Sequence, residues 1–307
     1  MNKDNSKNYT GFLEALDKRI LIGDGAMGTE LQVRGFLGCP DSANIEEDNI
    51  KKVIDIHLDY LEAGSDIIQT NTFGANPSKL SSHKLEQQTN QINKNAVAAA
   101  REAIETHEER SAFPAAHFIA GDIGPTGKLM EPSGDLKYSE TMDLFSRQIE
   151  VLIESRVDLL LIETIMDINE ALAAVEAARK ISNKIPIACT LSFGANGITL
   201  MGNKAEESAG MLLDAGCTLI GANCSIGSDS MLGVVKKIRQ AWPDARLIFQ
   251  PNAGLPVLRD GEAFYDETPE IMADNIKKYL PFKPSILGTC CGSTPAHIKQ
   301  LIHIIQG

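Results

Sequence analysis

Short apolar runs ending in Gly, Asn, Asp, Thr or Cys alternate along this chain with longer stretches whose apolar residues recur at helical spacing. Eight such runs stand out, at 20–23, 66–70, 117–121, 158–162, 185–191, 219–222, 246–250 and 285–288. Each is rich in Ile, Leu or Phe and bounded by turn formers, as a buried parallel strand should be. The stretches 50–63, 87–106, 139–155, 169–182, 205–215, 230–242, 269–280 and 294–305 predict helices between and after them. In the first, IKKVIDIHLDYLEA, the residues Val53, Ile54, Ile56, Leu58 and Leu61 make an apolar stripe, and Gly64 follows as a stop. Asp167 is placed to cap the helix after the fourth strand. Ser293 or Thr294 is placed to cap the last one, with Pro295 in its first turn.

Eight strand–helix units mean a closed barrel or an open doubly wound sheet. A chain of 307 residues favours the barrel. The predicted class is therefore α/β, a single-domain (β/α)8 TIM barrel over residues 20–307, after an N-terminal lead-in segment of residues 1–19. The turn after the first strand, DGAMG, lacks the glycine spacing of a dinucleotide loop. The Gly- and Pro-rich segment 124–135 is long enough to cover a site.

Composition agrees with this class. Hydrophobic residues make up 43% of the chain and aromatics only 5%. That mix suits buried parallel strands better than a sandwich built on aromatic cross-strand pairs. The net charge of −12 argues against nucleic acid, which needs a clustered basic surface. No apolar run is long enough to span a bilayer, and residues 1–10 lack a signal-peptide core. These features predict a cytoplasmic protein with no membrane partner, whose thiols stay reduced.

The predicted strand ends read IGDGAMGT, QTNTFGAN, AGDIGPTG, IETIMD, TLSFGANG, ANCSIG, QPNAGLP and GTCCGST. In a barrel these form the face that carries the chemistry. Cys224 ends the sixth strand, and Cys290 and Cys291 end the eighth, roughly 10 Å away at one intervening strand. A buried cysteine taken singly is more often plain core. Three at nearby strand ends would make a zinc site with three sulfurs and one open position. Cys189 and Cys217 read as core, and Cys39 as an incidental loop residue. The open position suits a substrate thiol, which coordination deprotonates and so turns into a nucleophile. This points to alkylation of a thiol rather than hydrolysis.

Asp24 and Glu163 follow the first and fourth strands. A lone acid usually caps a helix or joins a salt bridge, but two at the barrel mouth can hold an ammonium group. The small turn Gly25-Ala26-Met27-Gly28 offers backbone N–H groups to a carboxylate. Asn71, Asn223 and Asn252 are placed either to orient ligands or to satisfy turn backbones.

The motifs DGAMGTELQ, TNTFGAN, GDIGPTG, ET at Glu163-Thr164, NCSIG, PNAG and GTCCGSTPAHI resemble the homocysteine S-methyltransferase family, in family order from about residue 20 to 305. One departure is Thr289, which stands where the family's GGCCG motif has its second glycine. The resemblance implies a (β/α)8 barrel that holds Zn2+ through Cys224, Cys290 and Cys291. It implies that Asp24 and Glu163 contact the homocysteine amino group, and that the Ala26-Met27 backbone receives its carboxylate; Asn71 joins them as a substrate contact from its place at the second strand end. NCSIG and PNAG look nearest to the homocysteine-binding module of cobalamin-dependent methionine synthase. That implies methylcobalamin or another methylcorrinoid as donor, carried by a separate corrinoid protein if the chain is a natural single-domain enzyme, the alternative being an excised module of a longer one. Betaine- and S-methylmethionine-dependent relatives share the zinc barrel. A module that only docks a corrinoid protein is the reading from another class.

Overall fold

The structure is a computed structural model that describes residues 9–111, 115–259 and 262–306. A first helix, α1 (Thr10–Lys18), precedes eight parallel strands: β1 (Leu21–Ile22), β2 (Ile67–Gln69), β3 (Phe118–Ile123), β4 (Leu159–Ile165), β5 (Ile187–Leu191), β6 (Leu219–Gly227), β7 (Leu247–Asn252) and, after a β8–β9 hairpin (Val257–Arg259, Glu262–Phe264), β10 (Ile286–Leu287). Their order is β1-β10-β7-β6-β5-β4-β3-β2. A parallel bridge between Gly23 and Ile67, with Asp66 N–H on the Ile22 carbonyl at 2.7 Å, brings the first and second strands together and closes the ring.

The outer helices are α3 (Glu47–Ala63), α5 (Thr89–Arg110), α6 (Tyr138–Glu154), α7 (Ile168–Ile181), α8 (Ala205–Asp214), α9 (Ser228–Ala241), α10 (Pro269–Lys277) and α11 (Pro295–Gln306). Short helices α2 (Met27–Val33) and α4 (Pro77–Ser81) lie in the connections after β1 and β2. Gly64 ends α3 with φ 105°, a left-handed cap that glycine adopts freely. Asp167 caps α7 through the N–H of Asn169 at 2.9 Å. At α11 the His297 ring nitrogen accepts the Thr294 N–H at 3.1 Å, so the cap is made from inside the helix. No helix among the described residues is long and apolar enough to cross a membrane.

Strand parity gives the barrel two shells. Outward residues such as Ile22, Ile68, Ile119, Leu160, Ile187, Ile220 and Phe249 pack against the helices in one large cluster. Inward residues Leu21, Ile67, Phe118, Ala120, Leu159, Leu161, Ala188, Leu219, Ile248 and Ile286 form a second cluster inside the ring. Further along the same face, two residues on or, for Asn223, four, the interior turns polar: Gln69, Asp122, Glu163, Thr190, Asn223 and Gln250. The floor is thus apolar and the mouth polar.

The lead-in segment is structural as well. Phe12 and Leu16 of α1 join the inner cluster, and the Phe12 ring meets Phe118 edge-on at 5.3 Å. The helix closes the end of the barrel opposite the strand ends. Arg19, just after it, makes two 2.6 Å hydrogen bonds to the Asp66 carboxylate at the start of β2.

Candidate functional site

Two strands depart from regular geometry where the chemistry was expected. The β4–β5 register shifts between Ile162 and Ile165, and the β6–β7 register between Asn223 and Gly227. Thr164, Cys224 and Ser225 take φ of 59°, 58° and 61°, a region costly for non-glycine side chains. These bulges re-aim side chains at the barrel rim. One swings Cys224 over the mouth and the other sets Glu163 facing it.

The three predicted sulfurs meet. Cys224, Cys290 and Cys291 have all Sγ atoms within 4.8 Å of one another, and Cys291 lies 3.9 Å from each of the other two. A tetrahedral ion with bonds of about 2.3 Å would separate two sulfurs by about 3.8 Å. Two of the three separations match that value and the third is within 4.8 Å, so the trio suits zinc. None of the three is in a disulfide. As free thiols they share charge: hydrogen bonds from Cys224 and Cys290 pull the Cys291 thiol down to about 3. Hydrogen bonds to Cys224 and Cys291 push Cys290 up.

Backbone contacts hold this arrangement. Cys290 N–H bonds the Pro251 carbonyl at 2.8 Å, and the Cys291 carbonyl accepts from Ala253 N–H at 3.0 Å, so the cysteine turn is stitched to the end of β7. Glu267 accepts from Ser228 N–H, the Ser228 hydroxyl and Asn275, which ties the Cys224 arm to α10. Thr289, the residue that departs from the family motif, fits here. Its hydroxyl donates to Ser293 Oγ at 2.8 Å and its N–H to the Asp24 carbonyl at 3.1 Å. Gly25 is needed opposite, since a Cβ there would sit 2.5 Å from Ser293 Oγ and 2.8 Å from Thr289 Oγ1.

Asn223 links the sulfurs to the acids. Its amide nitrogen donates to Glu163 Oε2 at 3.0 Å and to Thr164 Oγ1 at 2.7 Å, and lies 3.9 Å from Cys290 Sγ. Its oxygen accepts from Thr164 N–H at 2.8 Å and the Thr190 hydroxyl at 2.7 Å. Asp24 Oδ2 accepts the Gln69 N–H at 2.9 Å, and Oδ1 has no partner. Burial pushes the Asp24 carboxyl up to about 8. Burial, then the neighbouring Cys224 and Asp24, push Glu163 up to about 8 as well.

These groups open into one cavity of about 700 Å³ whose lining includes Asp24, Ala26, Met27, Asn71, Asp122, Glu163, Cys224, Gln250, Cys290 and Cys291. The Ala26 N–H is already engaged by Ser293 Oγ at 3.2 Å. Met27, Gly28 and Thr29 open α2, where first-turn N–H groups lack helical partners. Asn71 lines the cavity but donates to the Pro40 carbonyl at 2.7 Å, so it also holds the cavity's outer wall. Asn252 is buried with its Oδ1 unpartnered.

Some expectations need correction. No residue of 124–135 lines the cavity. Thr126 in that segment is instead anchored to Glu170 by bonds of 2.6 and 2.8 Å. The outer wall comes from Leu37–Asp41 and from Phe73, Gly74 and Lys79. Cys39 belongs to that wall rather than to an incidental loop, with its thiol 3.5 Å from Asp41. Cys189 and Cys217 are core, as expected. Two site residues were not anticipated. Asp122 lies in the polar interior layer, and Tyr265, in the segment after the hairpin, packs against Gly292 beside the cysteine pair.

The model of the family described as homocysteine S-methyltransferase matches residues 21–305. Methionine synthase of Mycobacterium tuberculosis is 30% identical over 95% of this chain, which spans 25% of that enzyme's length. Methionine synthase of Mycobacterium leprae gives the same figures. Among solved structures, the homocysteine methyltransferase MmuM of Escherichia coli in its metallated form superposes with a TM-score of 0.81 at 22% identity, over 96% of this chain and 99% of that one. That is a likeness of fold, whereas the family match covers the sequence from the first barrel strand to the last helix. The chain belongs to the homocysteine S-methyltransferase family.

Proposed function

We propose that this chain transfers a methyl group to the sulfur of homocysteine to give methionine, with Cys224, Cys290 and Cys291 as zinc ligands and Asp24, Glu163, Ala26, Met27 and Asn71 around the substrate. The catalytic unit in this reading is the barrel of residues 20–307. The observation that carries it is the sulfur trio at spacings suited to a tetrahedral metal, beside a cavity walled by acids. Zinc held there would supply the Lewis acidity that keeps a thiol ionised at neutral pH.

The chain's own residues account for the rest. Glu163 is oriented by Asn223 and Asp24 by the Gln69 N–H, so each acid has one oxygen fixed by the protein and one left for a ligand. An entering ammonium would replace the protons that burial holds on them. The α2 N-terminus suits the substrate carboxylate through the Met27 backbone. The substrate sulfur, its proton lost to solvent, forms the S–CH3 bond as the methyl–donor bond breaks and its electron pair leaves with the donor.

We assign the donor role to a methylated corrinoid borne on a separate protein. Large apolar side chains ring the mouth on the connections after the strands: Leu37, Leu129, Met166, Leu200, Leu255 and Phe264 are all exposed. Such a ring suits a protein surface better than a small solute. The acidic lining favours a second reading, a small onium donor such as betaine or S-methylmethionine.

Bound zinc measured in wild type and in Cys290→Ala tests the core of the proposal. Wild type should hold about one ion per chain and the variant far less. Equal full occupancy in both would remove it. A donor panel of free methylcobalamin, methylated corrinoid protein, betaine and S-methylmethionine then separates the readings. Binding of the corrinoid protein without any turnover would leave only a docking module.

A further inference from the structure

Asp122 is a buried acid to which the proposed reaction assigns no role. It sits on β3 in the inward series Phe118, Ala120, Asp122, and is 6% exposed. Its main chain is fixed, with N–H on Thr70 Oγ1 at 3.0 Å and the carbonyl accepting the Thr72 hydroxyl at 2.7 Å. Its side chain lines the cavity, and Oδ1 has no hydrogen-bond partner. The charged groups acting on it are Glu163, Asp41 and Asp24, all acids. Among the described residues no lysine or arginine joins them. A buried carboxyl with an orphan oxygen is costly unless a ligand brings the missing donor.

The ligand's chemistry follows from counting donors. An ammonium group carries three N–H bonds. Asp24 and Glu163 can take two, and both are oriented to do so with one oxygen anchored by protein. A third acceptor, buried and unpaired in the same polar layer, matches the third N–H. We infer that Asp122 completes an ammonium cradle with Asp24 and Glu163, making the site specific for a thiol that is also an α-amino acid. This rests on the functional reading above and adds a specificity-determining residue to it.

Isothermal titration of the zinc-loaded full chain tests this, using L-homocysteine and 4-sulfanylbutanoic acid, which keeps the thiol and carboxylate but has no amino group. Asp122→Asn and Asp122→Ser should each weaken homocysteine roughly 10- to 100-fold, as expected for a hydrogen bond to a charged group. Neither should weaken 4-sulfanylbutanoic acid by more than about twofold, because only the amino group contacts Asp122. Loss of the same factor for both ligands, the mark of a structural role, would overturn the inference. So would unchanged homocysteine affinity in both variants, while the functional reading stood. Failure of wild type to bind homocysteine would remove both. One readout needs no variant: N-methylhomocysteine, with two N–H donors, should bind wild type at least about tenfold more weakly than homocysteine, and equal affinity would overturn the inference.

Discussion

Asp24 shows how a single residue couples this site to stability. Its carboxyl ordinarily ionises near 3.8, and burial raises it to about 8. The folded chain therefore keeps a proton there that the unfolded chain gives up. That contribution is fully present below about 3.8 and is lost as pH rises through about 8. Asp24→Asn should flatten the fall in Tm between pH 5 and 9, measured on the substrate-free protein. Parallel Tm curves for the two proteins would contradict the assignment. The same residue was legible in the chain, as were Glu163 and the three cysteines, because their types carry chemistry wherever turn formers end an apolar run. Asp122 was not, for a specific reason. The expected strand stopped at Gly121, and β3 runs on to Ile123. Carrying the alternation of Phe118 and Ala120 one step further would have turned Asp122 inward. Nothing in the chain announced Tyr265, whose approach to Cys291 depends on the turn after the hairpin.

Helices were easier to read than strands. The 3.6-residue period that marks α3 or α6 extends over 17 residues in each. A strand such as β1, only two residues long, offers almost no period. β4 and β6 outran their expected ends at Ile162 and Ala222 because bulges let pairing resume beyond the irregular residues. From the sequence α1 reads only as part of a lead-in, since nine residues at a terminus resemble a surface helix unless the barrel floor beneath them is known. Its packing makes a prediction. Phe12 is 2% exposed and fills the ring interior against Phe118. Phe12→Ala should cost about 3–5 kcal/mol by opening a cavity in that floor, measured by denaturant unfolding. Zinc content should be unchanged, because the sulfurs sit at the opposite end. A cost below about 1 kcal/mol would mean α1 merely rests on the barrel.

At the scale of the whole molecule the barrel separates stability from chemistry. The sealed end carries α1 and the Arg19–Asp66 pair, and the open end carries sulfurs, acids and strained backbone. The apolar ring lies on the open end, on loops that do not share residues with the floor. Leu200 is 82% exposed and Leu255 58%, and neither lines the cavity. Such exposure is unfavourable in water, and clustering around a reaction mouth gives it a use only if something broad covers it. A methyl carrier seated there would bury both leucines while presenting its methyl group to the cavity. Free methylcobalamin would not need them. Replacing Leu200 and Leu255 together with Asp should therefore lower kcat/KM with a methylated corrinoid protein at least about tenfold, the scale of an interface anchor. Turnover with free methylcobalamin should stay within about twofold, because no group of the cavity has changed. Equal losses with both donors would place the leucines in the fold rather than at an interface. No loss with either would show that a methyl carrier does not seat on these leucines.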